Sequence, residues 1–84
     1  MSHLPGVEKT LHSDGHRRLV RLLVDTRRKA GMTQAELATR LGRHQSFVAN
    51  YETGQRRVDV VELAAICDVL GIRASTLVRR WERS

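Results

Sequence analysis

Residues 42–54 of the chain read GRHQSFVANYETG, a segment with a glycine at each end. Glycine readily adopts the left-handed conformation that ends a helix, so the two glycines delimit one short helix, from Gln45 to about Thr53. At 100° per residue, Val48 and Tyr51 share its inner side with Glu52. The polar residues on the outer side are Gln45, Ser46 and Asn50. The segment therefore predicts a helix that packs on one side and displays polar groups on the other.

The composition favours a single small helical domain. The chain has 84 residues, of which 40% are hydrophobic and only three are aromatic, so its core must consist mainly of Leu, Val and Ala. Period-two alternation, the signature of strands, is missing. We therefore expect an all-α, compact five-helix domain over residues 13–84. Residues 1–12 contain the only proline and no sustained periodicity, and we interpret them as a flexible N-terminal arm.

The charge of the chain indicates a polyanionic partner. Fifteen basic residues oppose nine acidic ones, which gives a net charge of +6 and a pI near 11.0. Nearly all the basic residues are Arg, whose planar guanidinium suits bidentate contact with phosphates and base edges. The alternative is that the charge only aids solubility.

Four more helices are predicted around the opening segment. Thr33 with Glu36, and Asp59 with Glu62, have the spacing of capping boxes, in which two residues satisfy each other's backbone N–H groups. Ser13 is a further candidate N-cap. The four helices run from Ser13 to about Ala30, from Thr33 to Leu41, from Asp59 to Leu70 and from Ala74 to about Glu82.

The first helix contains a charged residue on its apolar side. The apolar residues of this helix are Leu19, Val20, Leu23 and Ala30, and Arg27 falls in the middle of the same face. A buried guanidinium needs a partner, and Glu52 lies on the inner face of the helix at 45–53. We therefore predict an Arg27–Glu52 ion pair.

Two short helices joined by a tight turn, at about 33–41 and 45–53, describe a helix-turn-helix. The segment GMTQAELATRLGRHQSFVANYETGQ, followed by LAAICDVLGI, resembles the Cro/repressor-type (XRE) family of DNA-binding domains, with a lambda-repressor-like fold. The resemblance runs from about Leu19 to Leu77 and includes TQ, LA, LG, QS and E-x-G in order. Arg43 and His44 depart from the family pattern at the turn, where a small residue and Ser or Thr are usual, so we expect a weak cap on the following helix.

The resemblance implies a sequence-specific regulator of transcription, a repressor, that reads the major groove of double-stranded DNA. The helix at 45–53 would be the recognition helix. A glutamine can bind adenine N6 and N7 together, which suits base recognition. The expected base contacts are Gln45, Ser46, Asn50 and Phe47. For Phe47, contact with a thymine methyl and simple packing remain equal alternatives, and the polar residues could instead be merely solvated.

Phosphate contacts are expected around the recognition helix rather than on it. Free backbone N–H groups at the start of the preceding helix attract anions. Basic residues occupy the turn before the recognition helix and the loop after Gly54, so they would flank it on both sides. The expected phosphate contacts are Gln34, Thr33, Arg43, His44, Arg56 and Arg57. In related phage repressors the glutamines at the positions of Gln34 and Gln45 bond to each other.

The family pattern implies a homodimer on a pseudo-palindromic site. The dimer interface candidates lie on the last helix and are Leu77, Val78 and Trp81. Trp81 could equally complete the core of the monomer.

Two other functions remain open: a DNA-binding antitoxin that neutralises a partner toxin, and a protein-interaction module. An enzyme is not expected, because the histidines and carboxylates form no recognisable site and no Gly-rich phosphate loop exists. The single cysteine, Cys67, lies in an apolar run and predicts a buried thiol; no metal or cofactor is expected. No apolar stretch is long enough for a membrane, so we expect a cytoplasmic, nucleoid-associated protein.

Overall fold

The computed structural model describes residues 13–84. They form five α-helices and no strand: α1 (Asp14–Lys29), α2 (Gln34–Leu41), α3 (Gln45–Glu52), α4 (Val60–Leu70) and α5 (Ala74–Arg83). The all-α, five-helix prediction is confirmed. The predicted arm at residues 1–12 lies outside the described residues.

Local capping explains where three of the helices begin. The Ser13 hydroxyl accepts a hydrogen bond from the backbone N–H of His16 at 3.1 Å. Both predicted capping boxes are present, at the start of α2 and at the start of α4. At the end of α2, Gly42 has a φ of 69°, a conformation that a side chain would strain. The turn between α2 and α3 is thus set by local sequence.

Helix α3 begins without such help. Its N-cap is His44, whose side chain makes no capping hydrogen bond. A helix of eight residues is marginal in isolation, so α3 depends on packing against its neighbours. It contacts α1 and α2, and α2 in turn contacts α4.

One apolar core joins all five helices. Val48 and Tyr51 of α3 are fully buried, as predicted, and Leu23 of α1 is buried with them. Cys67 is also buried, and burial raises the pKa of its thiol. Ala30 is exposed, contrary to the helical pattern, because α1 ends before it and Ala30 only caps the helix. The remaining core residues are Leu37, Ala38, Phe47, Leu63, Ile66, Leu70 and Leu77.

Helix α5 closes the monomer. Leu77 is 0% exposed, so it is unavailable to a second copy and its assignment to a dimer interface is corrected. The Trp81 indole N–H donates to the Gly15 carbonyl at 2.8 Å. The guanidinium of Arg18 lies 5.3 Å from the centre of the Trp81 ring and donates a hydrogen bond to the backbone carbonyl of Trp81. Trp81 therefore fastens α5 to α1, whereas Val78 is 36% exposed.

Candidate nucleic-acid interface

The outer side of α3 presents polar groups to solvent. Gln45 and Ser46, in its first turn, are exposed, and Asn50 is half-buried. The opposite side is anchored by Val48 and Tyr51 in the core. This anchoring fixes which side of the helix faces out. Gln45 and Ser46 thus lie on the outer side that the helical period predicts, whereas Asn50 is less exposed than predicted.

A buried ion pair locks α3 to α1. The Arg27 guanidinium donates to both oxygens of Glu52, at 2.8 and 3.0 Å, and also to the carbonyl of Met32 at 2.8 Å. Both side chains are almost fully buried. The hydrogen bond to Glu52 raises the pKa of Arg27, so the guanidinium stays charged. The structure thus brings together the two residues that the sequence pairs.

Two of the residues expected at phosphates are engaged within the domain. The side-chain amide of Gln34 donates to Glu52 at 2.9 Å, rather than to Gln45. The hydroxyl of Thr33 accepts a hydrogen bond from the backbone N–H of Glu36, and the Glu36 carboxylate accepts one from the backbone N–H of Thr33. At this end of α2, the first-turn backbone N–H groups that no side chain caps can still bind an anion.

Phe47 packs into the domain instead of projecting from it. It is 7% exposed, and its ring meets that of Tyr51 edge to face at 5.5 Å. The guanidinium carbons of Arg43 and Arg56 lie 4.0 and 4.8 Å from its centre. Of the two alternatives for Phe47, the structure shows packing; in this arrangement the ring is covered and does not present itself to a thymine methyl.

Arg43 and Arg56 also meet at one carboxylate, that of Glu62. Arg56 donates to both Glu62 oxygens at 3.0 Å, and Arg43 Nη1 lies 3.7 Å from Oε2. The hydrogen bond from Arg56 holds the pKa of Glu62 below its usual range. The sequence placed these arginines on two sides of α3. They form instead a single cluster with Phe47 and Glu62, which we call the arginine cluster.

His44 and Arg57 remain open to solvent. Both are exposed, and no hydrogen bond or ion pair within residues 13–84 involves either side chain. The Arg57 carbonyl accepts from Arg56 Nη1 at 3.1 Å, which ties its backbone to the arginine cluster. Both side chains can therefore meet a phosphate without breaking a contact within the described residues.

Comparison with known proteins identifies the family. A family model described as a helix-turn-helix domain matches residues 18–81. A solved structure of an XRE-family like protein from Pseudomonas syringae pv. tomato is 41% identical, with a TM-score of 0.83 over 93% of this chain and 95% of that chain. This chain belongs to the XRE family. It is therefore a DNA-binding helix-turn-helix regulator, and the predicted family is confirmed.

Other solved structures share the fold of this XRE-family protein. The clp gene regulator ClgR from Corynebacterium glutamicum is 23% identical, with a TM-score of 0.75 over 83% of this chain and 74% of that chain. The hydroxypropylphosphonic acid epoxidase of S. wedmorenis is 32% identical over 73% of this chain, with a TM-score of 0.65, but the match spans only 32% of the epoxidase. No curated protein sequence matches the chain.

Residues 13–84 contain no group of three or more His, Cys, Asp or Glu that could hold a metal ion. None of their helices is long and apolar enough to cross a bilayer.

Sequence reasoning missed the role of Glu62, which it assigned only as a helix cap. Glu62 follows Arg56 by six residues across a loop, and helical periodicity does not relate two such positions. The capping-box spacing with Asp59 already explained why a glutamate stands at position 62, so it gave no reason to expect an arginine partner as well.

Proposed function

We propose that this protein represses transcription by placing α3 in the major groove of a pseudo-palindromic operator, as a homodimer. The observation that carries the proposal is the pair of exposed polar residues, Gln45 and Ser46, in the first turn of a helix whose other side is buried in the core. A helix held in this way can present side chains to base edges without rearranging. Such a regulator would be cytoplasmic and bound to the DNA of the nucleoid.

Base recognition falls to the exposed first turn of α3. Gln45 can bind adenine N6 and N7 with its amide, and Ser46 can donate to or accept from either neighbouring base. Asn50, one turn later and half-buried, would reach a base at the edge of the contact. Phe47 supports these residues from beneath, through its packing on Tyr51.

Phosphate contacts would hold the helix in register on both strands. The backbone N–H groups at the start of α2, next to Thr33 and Gln34, would bind one phosphate. His44 and Arg57 would bind others, because their side chains are exposed. Arg43 and Arg56 retain 45% and 38% side-chain exposure, so the arginine cluster can add to these contacts.

Dimerisation would match two half-sites about 34 Å apart, or a multiple of that distance. Of the three candidates on α5, Val78 is the one that the monomer leaves exposed. Footprinting on a selected operator would show two protected half-sites with this spacing. A single protected half-site at saturating protein would contradict the dimer.

The proposal is tested by selecting bound sequences from a random DNA pool and measuring the affinity of variants for the selected duplex. Gln45→Ala should cost about 1–3 kcal/mol and relax the preference at one base pair. Arg57→Ala should weaken binding to all sequences alike. It should also reduce, by about 1, the slope of the logarithm of the affinity against the logarithm of the salt concentration. Gln55→Ala removes an exposed glutamine just outside α3 and should leave the base preference unchanged.

Selection that yields no preferred sequence would refute the proposed function. Equal losses on operator and random DNA from both Gln45→Ala and Arg57→Ala would refute the division between base and phosphate contacts.

A further inference from the structure

We propose that Glu62 determines the specificity of DNA binding, because it fixes Arg43 and Arg56 in place and offsets part of their charge. The inference rests on the proposed function and extends it to a residue that does not itself touch a base. Glu62 would act as a positioning residue, through the two arginines.

The geometry of Glu62 is that of a shared anchor. Its Oε1 accepts from Arg56 Nη1 and from the backbone N–H of Asp59, each at 3.0 Å. Its Oε2 accepts from Arg56 Nη2 at 3.0 Å and lies 3.7 Å from Arg43 Nη1. Only 14% of the side chain is exposed. The carboxylate is therefore fixed by α4, and it fixes the arginines in turn.

Phe47 completes this anchoring from the side of the recognition helix. Both guanidinium groups lie over its ring, and the ring is packed against Tyr51 in the core. Arg56, held by two hydrogen bonds to Glu62 and by the ring, loses much of its rotamer freedom before DNA arrives, and Arg43 is restrained more loosely by the ring and a 3.7 Å ion pair. The exposed edges of Arg43 and Arg56 are thus set at a defined place relative to α3.

Fixed arginines discriminate between DNA sequences better than mobile ones. A mobile arginine follows any phosphate, so it strengthens operator and random DNA alike. A fixed arginine meets its phosphate in good geometry only when α3 is fully seated, which requires matching bases. The Glu62 carboxylate also repels a poorly placed phosphate. Both effects weaken random-DNA binding more than operator binding.

Two variants separate charge from positioning. Glu62→Gln removes the charge but keeps an acceptor for the Asp59 N–H, so the cap of α4 can persist. Arg56→Lys keeps the net charge but loses the planar fork that pairs with both Glu62 oxygens. Asp68→Asn is the matched control for charge, because Asp68 is an exposed carboxylate on the same helix and lies outside the cluster.

The experiment measures binding of each variant to the selected operator and to a random duplex of equal length, over a range of salt concentrations. Glu62→Gln should strengthen random-DNA binding by about three- to tenfold, steepen its salt slope by about 1 and gain less on the operator. Arg56→Lys should weaken operator binding about threefold or more and leave random-DNA binding almost unchanged. Asp68→Asn should shift both DNAs equally.

The ratio of operator to random-DNA affinity decides the outcome. A ratio in Glu62→Gln equal to that of Asp68→Asn would overturn the proposal, even if the parent protein discriminates well. A parent protein that shows no preference would overturn the proposed function, and this inference with it. Circular dichroism shows whether each variant is folded; if Glu62→Gln is not, an unchanged ratio in Arg56→Lys overturns the inference by itself.

Discussion

Two arginine–glutamate pairs in this protein have nearly the same hydrogen-bond lengths but different surroundings. Arg27 and Glu52 join through two hydrogen bonds of 2.8 and 3.0 Å, and their side chains are 9% and 5% exposed. Arg56 and Glu62 join through two bonds of 3.0 Å, and their side chains are 38% and 14% exposed. Arg27 pairs through Nε and Nη2 and Arg56 through Nη1 and Nη2, but the larger difference between the pairs is solvent access.

This difference assigns the pairs different tasks. A buried pair is costly to break, because the remaining charge stays in a medium that solvates it poorly. Arg27 and Glu52 therefore form a stable ion pair that holds α1 against α3. An exposed pair is worth little to stability, because water and salt compensate for its loss. Arg56 and Glu62 can thus serve binding, since the exposed part of the arginine can meet a phosphate while the Glu62 carboxylate holds it in place.

Removing one partner of the buried pair should have the largest effect on stability. Arg27→Ala should lower the free energy of unfolding by about 3–5 kcal/mol, because it leaves Glu52 buried without its cation. Urea denaturation followed by circular dichroism measures the loss. Arg28→Ala, at the exposed next position, should stay within about 0.5 kcal/mol of the parent. An Arg27→Ala variant that denatures like the parent would remove the distinction between the two pairs.

Replacing both buried partners should restore part of that loss. A double variant with Arg27→Met and Glu52→Met leaves no unpaired charge, so it should be about 1–3 kcal/mol more stable than Arg27→Met alone. Recovery stays incomplete, because Gln34 and the Met32 carbonyl lose their partners. The same denaturation experiment measures the difference. A double variant less stable than the single one would mean that the isolated charge is not what makes the pair costly to break.

The buried pair could be predicted from the sequence, because each of its residues obeys a local rule. Arg27 falls on the apolar face of one helix and Glu52 on the inner face of another, and both faces follow from the helical period. The capping boxes and the turn glycines are equally local. Such signals set the five helices and the inner and outer sides of α3.

The arginine cluster could not be predicted in the same way. Arg43, Arg56 and Glu62 belong to a turn, a loop and a third helix, so no single period relates them. Those two arginines cover the Phe47 ring, which is a tertiary contact that the period of α3 does not reveal. Trp81 shows the same limit: its bond to Gly15 depends on how α5 crosses α1, and the sequence of α5 alone left both outcomes open.

Breaking the exposed pair should affect stability much less than breaking the buried one. Arg56→Ala should cost less than about a third of the free energy lost in Arg27→Ala, since solvent replaces most of the interaction. Denaturation of both variants in one buffer gives the ratio. Raising the salt concentration should shrink the Arg56→Ala effect further and leave the Arg27→Ala effect nearly unchanged. Equal losses in the two variants would show that exposure does not separate the pairs.

Acid should act weakly on the exposed pair, in a direction that the pKa of Glu62 determines. That pKa is lowered in the folded protein, first by the hydrogen bond from Arg56. The stability from the Glu62 charge is therefore fully present above the unfolded-state pKa of about 4.3 and is lost as pH falls through the folded-state value. The difference in unfolding free energy between the parent and Glu62→Gln should accordingly shrink between pH 6 and pH 3. The pKa of Glu36 is also lowered, first by its hydrogen bond with the backbone of Thr33, so Glu36→Gln serves as the reference for a capping carboxylate outside the arginine cluster. A parent-to-variant difference that is the same at both pH values would show that Glu62 contributes its shape to the fold and not its charge.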